Sequence, residues 1–333
     1  MTEPVRWGVL GCAAIATKKV IPAMQRADNC HMLGIASRDA GRAADTAGEL
    51  GIERHYGSYE ALLADPDIEA VYIPLPNHLH AEWTLRAAAA GRHVLCEKPM
   101  AMTVDEAQTM VAGAQRSGVL LMEAFMYRLH PLWVRARELV EEGRIGELTA
   151  IQAFFSYNNT DPANIRNILE AGGGALMDIG CYPINASRMM FGAEPTTVHG
   201  VIRRDPRFRT DVLTSAVLDF DGRQATFTCA TQLEDYQRVH LLGSEGRLVV
   251  EIPFNIPTDR PTRILHVAGA KIGGVPPVIP EPEVIEVPAA DQYQVQGELF
   301  SAAVRDGTPV PTPPEDGVAN MAVIERIFAS AEG

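Results

Sequence analysis

Residues 5–16 read VRWGVLGCAAIA, and the fold of the first half of the chain turns on them. Val5 to Leu10 is a short apolar run rich in strand formers, and it breaks at Gly11 into small residues. The register Gly11-x-Ala13-x-x-Ala16 fits a dinucleotide-binding turn. In such a turn the first position bends the backbone, the second meets the pyrophosphate, and the third lets helix and strand approach. Ala13 stands where a glycine would bring the backbone closest, so the approach is slightly longer, but the helix amino terminus still faces the phosphate. Gly11, Cys12, Ala13, Ala14 and Ile15 are the expected cofactor-binding residues of this loop. Small residues also end strands for packing alone, so the wider pattern has to decide.

That pattern is an alternation. HMLGIAS (31–37), EAVYIPL (69–75), HVLCE (93–97) and VLLMEAF (119–125) are apolar runs. Helical stretches lie between them at 42–50, 58–66, 80–91 and from Thr103 to about Ser117. Thr103 with Glu106 three residues on is a capping box. Strands with few polar positions, separated by helices, predict a parallel sheet covered on both faces, with its ligand at the carboxyl ends of the strands. The second strand ends in Ser37-Arg38 with no acid at its tip. An acid there would hold a ribose 2′-hydroxyl, whereas a serine and an arginine suit a 2′-phosphate, so NADP(H) is the expected cofactor. Asp39 is read as the cap of the next helix, and Arg42 as a second cation.

At the carboxyl end of another strand stands CEKPM (96–100). Glu97 and Lys98 are either a solvated strand end or a proton-handling group presented to a ligand. The position at the ligand edge favours the second. Pro99 restricts how the lysine points and leaves the Lys98–Pro99 peptide open to the cis form.

From residue 130 the pattern changes. HPLWVRARELVEEGRIG (130–146) is an amphipathic helix ended by Gly143. Strand-like runs follow at 148–157, 196–203, 213–220 and 224–232, then a hairpin at 236–252 turning at Ser244-Glu245-Gly246. Consecutive strands with short turns predict an antiparallel sheet. A proline-rich crossing (274–288) leads to closing helices at about 291–305 and 314–331. The expected class is α/β: a parallel-sheet domain at 1–125 and an α+β domain at 126–333 with an open, mostly antiparallel sheet. Within the second lies GGGALMDIGCYPIN (172–185), read as a helix that carries Asp178 and Tyr182 four apart on one face. Either the two bond to each other or both face a ligand.

Composition narrows the partners. With 29 Lys and Arg against 42 Asp and Glu the formal charge is −13, which argues against nucleic acid. No apolar run approaches the ~20 residues that span a bilayer, and the amino terminus lacks a signal-peptide pattern, so the expected location is cytoplasmic. Five scattered cysteines never form CxxC pairs, and His78, His80 and His130 make no metal spacing. No metal site is expected.

Three separated segments, GVLGCAAIA, EKP at 97–99 and GGGALMDIGCYPIN, make the chain resemble the Gfo/Idh/MocA family of oxidoreductases. The resemblance runs from about residue 5 to the carboxyl terminus. It implies a nicotinamide-binding Rossmann domain followed by an open sheet that forms a subunit interface, hence a homodimer or homotetramer. It also implies hydride transfer at a sugar or cyclitol carbon. Carried across, Lys98 is the catalytic lysine, Asp178 the substrate-site acid and Tyr182 the proton donor or acceptor. Leu75, Pro76, Asn77 and His80 line the ribose and nicotinamide together with Glu97. Tyr157 and Arg166 complete the expected substrate set. Many family members carry histidine in place of Tyr182. The tyrosine form is similar to the branch holding glucose–fructose oxidoreductase, dihydrodiol dehydrogenase and NADP-dependent aldose dehydrogenases. MEAFMYRLHP (122–131) and IPFNIPTDRP (252–261) look most like bacterial D-xylose dehydrogenase and aldose–aldose oxidoreductase.

The expected function is therefore NADP-dependent oxidation at an aldose carbon, at pyranose C1, or aldose–aldose oxidoreduction. Removing a hydride from a sugar alcohol also releases a proton, so a base must accompany the cofactor. A phenol of ordinary pKa near ~10 is a poor base, and a nearby ammonium favours its phenolate. A ketoreductase of a nucleotide-linked sugar, drawing on Arg166, Arg203 and Arg204 for the diphosphate, is the first alternative. A trans-dihydrodiol dehydrogenase and a non-catalytic nucleotide sensor are the others.

Overall fold

The structure, a computed structural model, describes residues 3–332. It divides into two units, residues 3–126 with Asp291–Met321, and residues 127–290 with 322–332.

The first unit is built on six parallel strands: β1 (Val5–Leu10), β2 (Cys30–Ala36), β3 (Arg54–Tyr56), β4 (Ala70–Ile73), β5 (His93–Cys96) and β6 (Leu121–Glu123). Their order is β3-β2-β1-β4-β5-β6, so the chain reverses direction of travel between β1 and β4, where ligands bind in doubly wound folds. β1 and β4 are buried nearly throughout, as strands covered on both faces must be. β3 is absent from the sequence expectation. It is only three residues, RHY, and none of them is fully buried.

Local chemistry sets the helix starts. The Asp39 carboxylate accepts from Arg42 N at 3.1 Å and opens the helix Ala40–Leu50, as the sequence predicts. Thr103 Oγ1 accepts from Glu106 N at 3.2 Å to open Val104–Ser117, while Glu106 Oε2 reaches back to Met102 N at 2.9 Å. The Lys98–Pro99 peptide is cis.

The sequence reading assigns everything after residue 125 to the second domain, yet Asp291–Met321 belongs to the first unit. The helix Gln292–Asp306 lays Phe300 against Trp7, ring centroids 5.3 Å apart, and Ser301 Oγ accepts from Trp7 Nε1 at 3.0 Å. A buried indole N–H needs a partner, and this late helix supplies it.

The second unit holds an eight-stranded sheet: β7 (Leu148–Asn158), β8 (Thr197–Arg204), β9 (Asp211–Phe220), β10 (Arg223–Ala230), β11 (Gln232–Gly243), β12 (Gly246–Val250), β13 (Thr262–Ala268) and β14 (Glu283–Val287). The order is β14-β13-β12-β11-β7-β10-β9-β8, antiparallel except for the β7–β10 pair. One face carries the core, with Ala216, Leu218 and Phe227 buried, while Val201, Val217 and Tyr236 stand out from the other. β13 and β14 were not expected. β14, EVIEV, forms the sheet edge and is largely exposed, while β13 lies between β12 and β14.

Candidate functional site

In the first unit the site grows from the end of β1. Gly11 takes φ +118, a conformation that a side chain strains, and a Cβ there would approach Leu75 Cδ2 to 3.0 Å. Ala16, the third position of the turn, is fully buried against the sheet. Helix begins at once, with a π-helical turn at Ala16–Val20 leading into Ile21–Met24. Arg42 donates to the Cys12 carbonyl at 2.8 Å and so ties this loop to the turn after β2. On that turn Ser37 Oγ accepts from Asp39 N at 3.2 Å, Arg38 is exposed, and the Asp39 carboxylate is spent on its cap. Tyr59 is a neighbour that sequence reasoning missed. Burial raises the pKa of its phenol, and the Arg38 guanidinium beside the hydroxyl opposes the rise. A serine hydroxyl, two guanidinium groups and an acid already occupied form a donor set that fits a phosphorylated dinucleotide.

At the end of β4 the residues Leu75, Pro76 and Asn77 form the next turn, with Pro76 and Asn77 partly exposed. His80 differs from its expected part as a cofactor contact, because it is fully buried. Its Nδ1 faces the Pro99 carbonyl at 2.9 Å and its Nε2 the Leu75 carbonyl at 2.8 Å. The imidazole sits between the turn after β4 and the turn after β5, and in its neutral form donates to one of the two carbonyls. Burial, assisted by the charge of Lys98, lowers its pKa. Glu97 is held in turn, its Oε1 accepting from Tyr72 Oη at 2.6 Å and its Oε2 from Lys98 N at 3.3 Å. Glu97 and Lys98 are both half-buried at the strand end. Neither is a loosely solvated tail.

In the second unit a π-helical turn, Leu176–Gly180, runs into the helix Cys181–Phe191. Turns of this kind widen the helix and recur at functional sites. Asp178 sits on that turn. Its Oδ2 accepts from Tyr157 Oη at 2.7 Å and from Arg166 Nε at 2.9 Å. Three of the four residues predicted for the substrate side, Tyr157, Arg166 and Asp178, are thus one cluster, with the Arg166 side chain 42% and the Asp178 side chain 13% exposed. The carboxylate of Asp178 raises the Arg166 pKa further. Burial, then the Asp178 charge, pushes the Tyr157 phenol well above its ordinary value, so it remains a donor. Tyr182 is 6% exposed and boxed by rings, its centroid 5.2 Å from Phe254, 5.6 Å from Phe155 and 5.8 Å from Tyr127. Tyr127 is fixed by its own bond to Asn185 Oδ1 at 2.6 Å. Packing of that kind leaves the Tyr182 ring one orientation.

Residues 5–125 match the family model described as an oxidoreductase family with an NAD-binding Rossmann fold, and residues 133–249 match the GFO/IDH/MocA C-terminal domain. The chain belongs to the Gfo/Idh/MocA oxidoreductases. Within that family it is 47% identical to an uncharacterized oxidoreductase of Rhizobium meliloti, over 98% of this chain and 97% of the relative. It is 39% identical to the D-xylose 1-dehydrogenase (NADP(+)) 2 of Haloferax volcanii, again over 98% and 97%. Among solved structures, a 3-ketoreductase from Actinomadura kijaniata in complex with NADP and TDP-benzene superimposes with a TM-score of 0.91 at 32% identity, over 98% of each chain. The Gfo/Idh/MocA assignment makes this protein a nicotinamide-dependent oxidoreductase of sugar substrates. Among the described residues no cluster of His, Cys, Asp and Glu could hold a metal, and no helix is long and apolar enough to cross a membrane.

Proposed function

We propose that the protein oxidises an aldose at the pyranose C1 carbon with NADP as hydride acceptor, and that aldose–aldose oxidoreduction is the same chemistry run in both directions. NADP(H) is the cofactor, and its nicotinamide, when bound, exchanges the hydride. Ser37 and Arg38 bind the 2′-phosphate, and Gly11, Cys12, Ala13, Ala14 and Ile15 bind the pyrophosphate. Leu75, Pro76, Asn77 and Glu97 border the ribose and nicotinamide, and His80 holds their backbone in place. Lys98 supplies positive charge where the reacting oxygen gives up its proton. Tyr182 exchanges that proton, and Asp178, Tyr157 and Arg166 orient the sugar hydroxyls.

The ion pair between Arg166 and Asp178 carries this reading. A ketoreductase acting on a nucleotide-linked sugar needs unpaired cations for a diphosphate. Arg166 is already committed to a carboxylate and Arg204 donates to the Arg209 carbonyl at 3.4 Å and lies over the Phe328 ring, which leaves only Arg203 of the three, exposed on β8. The cluster offers a neutral polyol alternating acceptors and donors instead. The 39% identity to a D-xylose dehydrogenase points the same way. The nucleotide-sugar ketoreductase stays as a second reading because of the high similarity to the Actinomadura kijaniata enzyme.

The exposed face of the second sheet, with Val201 76% exposed, Val217 43% and Tyr236 47%, supports assembly as a homodimer or homotetramer through that sheet. All five cysteines are buried, which suits the reducing cytoplasm we propose for it.

The test incubates the purified protein with NADP and a panel of aldoses, and with NADPH and a TDP-linked 3-keto sugar, reading absorbance of the reduced nicotinamide. Aldose-dependent reduction of NADP is expected. Turnover of the TDP-keto sugar with none on any aldose sinks the proposal.

A further inference from the structure

Asp211 opens β9 with only 1% of its surface exposed, and no step of the proposed reaction uses it. One carboxylate oxygen, Oδ2, accepts from Leu176 N at 2.7 Å and from Thr214 Oγ1 at 3.0 Å. Leu176 is the first residue of the π-helical turn, and its amide belongs to the group of N–H donors that a helix start leaves without an internal partner. The other oxygen, Oδ1, packs onto the backbone of Gly174. That glycine takes φ +128, and a Cβ on it would collide with Oδ1. Asp178 N then donates to the Gly174 carbonyl at 3.0 Å. The carboxylate therefore grips the turn on both sides of its start, two residues before Asp178 and six before Tyr182.

The grip carries an electrostatic cost. Burial pushes the Asp211 pKa up, and the bonds from Leu176 and Thr214, with the charge of Arg204, pull against that rise. An apolar residue would fill the same space without the cost, but it would accept nothing from the Leu176 amide. The loop from Gly172 to Gly174 has little side-chain packing to fix its path. Gly173 N and Gly174 N donate to the Ile168 and Arg166 carbonyls at 3.0 and 2.9 Å, and the carboxylate adds the tie from the turn to β9.

We propose that Asp211 is the positioning residue of the substrate side: it fixes the rotation of the π-helical turn, and through it the directions of Asp178 and Tyr182. The inference rests on the aldose reading only for its assay. It specifies a strand residue, distant in sequence, whose removal misdirects chemistry while the cofactor half stays intact.

Three variants of the full chain test it: D211N, D211A and G174A. D211N keeps the shape and an oxygen but turns a donor toward either Leu176 N or Gly174. It should lower kcat on the best aldose roughly tenfold and raise the aldose KM, with the NADP dissociation constant within about twofold of wild type. D211A should lose roughly a hundredfold in kcat/KM, and G174A should behave like it. Melting temperature is recorded for each. Lower stability with wild-type kcat and aldose KM in D211N means a purely structural aspartate and overturns the proposal. An equal loss of NADP affinity overturns it as well, because the damage is then general. Where D211A fails to fold, D211N and G174A decide. Absence of aldose turnover in the wild type counts against the proposed function instead, and NADPH oxidation with the TDP-keto sugar then serves as the assay for the same comparison.

Discussion

The Tyr157 phenol donates to Asp178 Oδ2 at 2.7 Å, and the same oxygen receives Arg166 Nε. One carboxylate oxygen thus holds two donors from outside its own turn, a strand phenol and a loop guanidinium. Tyr157→Phe keeps the ring and removes one donor. Hydrogen bonds to charged groups contribute about 1.5–3 kcal/mol, so kcat/KM for the aldose should fall roughly ten- to hundredfold with NADP affinity unchanged. Steady-state kinetics with both substrates varied checks this, and an unaltered aldose KM and kcat would remove Tyr157 from the site.

Lys98→Met replaces a half-buried ammonium by an apolar chain of similar length. Turnover should drop by about 10³-fold, within the usual span of acid–base contributions, while circular dichroism and melting stay near wild type. Retention of most activity would make the lysine structural.

Tyr182→Phe leaves the ring in its box of Tyr127, Phe155 and Phe254. Stability should hardly move, and kcat should fall roughly 10²-fold or more. A normal rate would place the proton transfer on another group.

Arg38→Ala should weaken NADP roughly ten- to hundredfold and leave NAD nearly unchanged, because NAD has no phosphate at that position. Fluorescence titration of both cofactors against wild type and variant yields four dissociation constants. Equal weakening of the two would show that Arg38 does not read the phosphate.

Acid stability has a specific contributor in Asp65. Its burial favours the neutral acid, but bonds from Tyr56, the Asp67 amide and Arg54 outweigh that and hold its pKa at about 2, against 3.8 for a free aspartate. A depressed carboxylate pKa stabilises the fold fully above the unfolded value and loses that stabilisation as pH falls toward the folded one. The melting temperature should therefore fall between about pH 4 and pH 2, and Asp65→Asn should flatten that part of the curve. A variant curve parallel to wild type would acquit Asp65.

How much of this was readable beforehand depended on range. Local signals read well: Gly11 and Ala16 around the first turn, Asp39 and Thr103 as caps, and the lysine–proline pair at the end of β5. Each depends on residues within a few positions of one another. β3 escaped because three incompletely buried residues carry no periodicity, and β14 because EVIEV is a largely exposed edge strand; β13, paired on both sides, does alternate and was missed all the same. In the site, GGGALMDIG pointed to Asp178, but its hydrogen-bond partners lie 12 and 21 residues away. Asp211, 35 residues from Leu176, looked like any acid at a strand start. His80 was legible as a loop histidine, and only the fold revealed that its nitrogens face two carbonyls.

The bond between Trp7 and Ser301 spans 294 positions. A chain leaving the ribosome has all six strands of the first sheet in hand by residue 123, yet Trp7 gains its partners Phe300 and Ser301 only once the helix Gln292–Asp306 has been made. Domains ordinarily fold in the order in which they are synthesised. Here the earliest strand is sealed by one of the latest helices. Birth order and completion order run opposite ways, and a nascent chain halted before residue 291 lacks both the Phe300 ring and the Ser301 hydroxyl that meet Trp7.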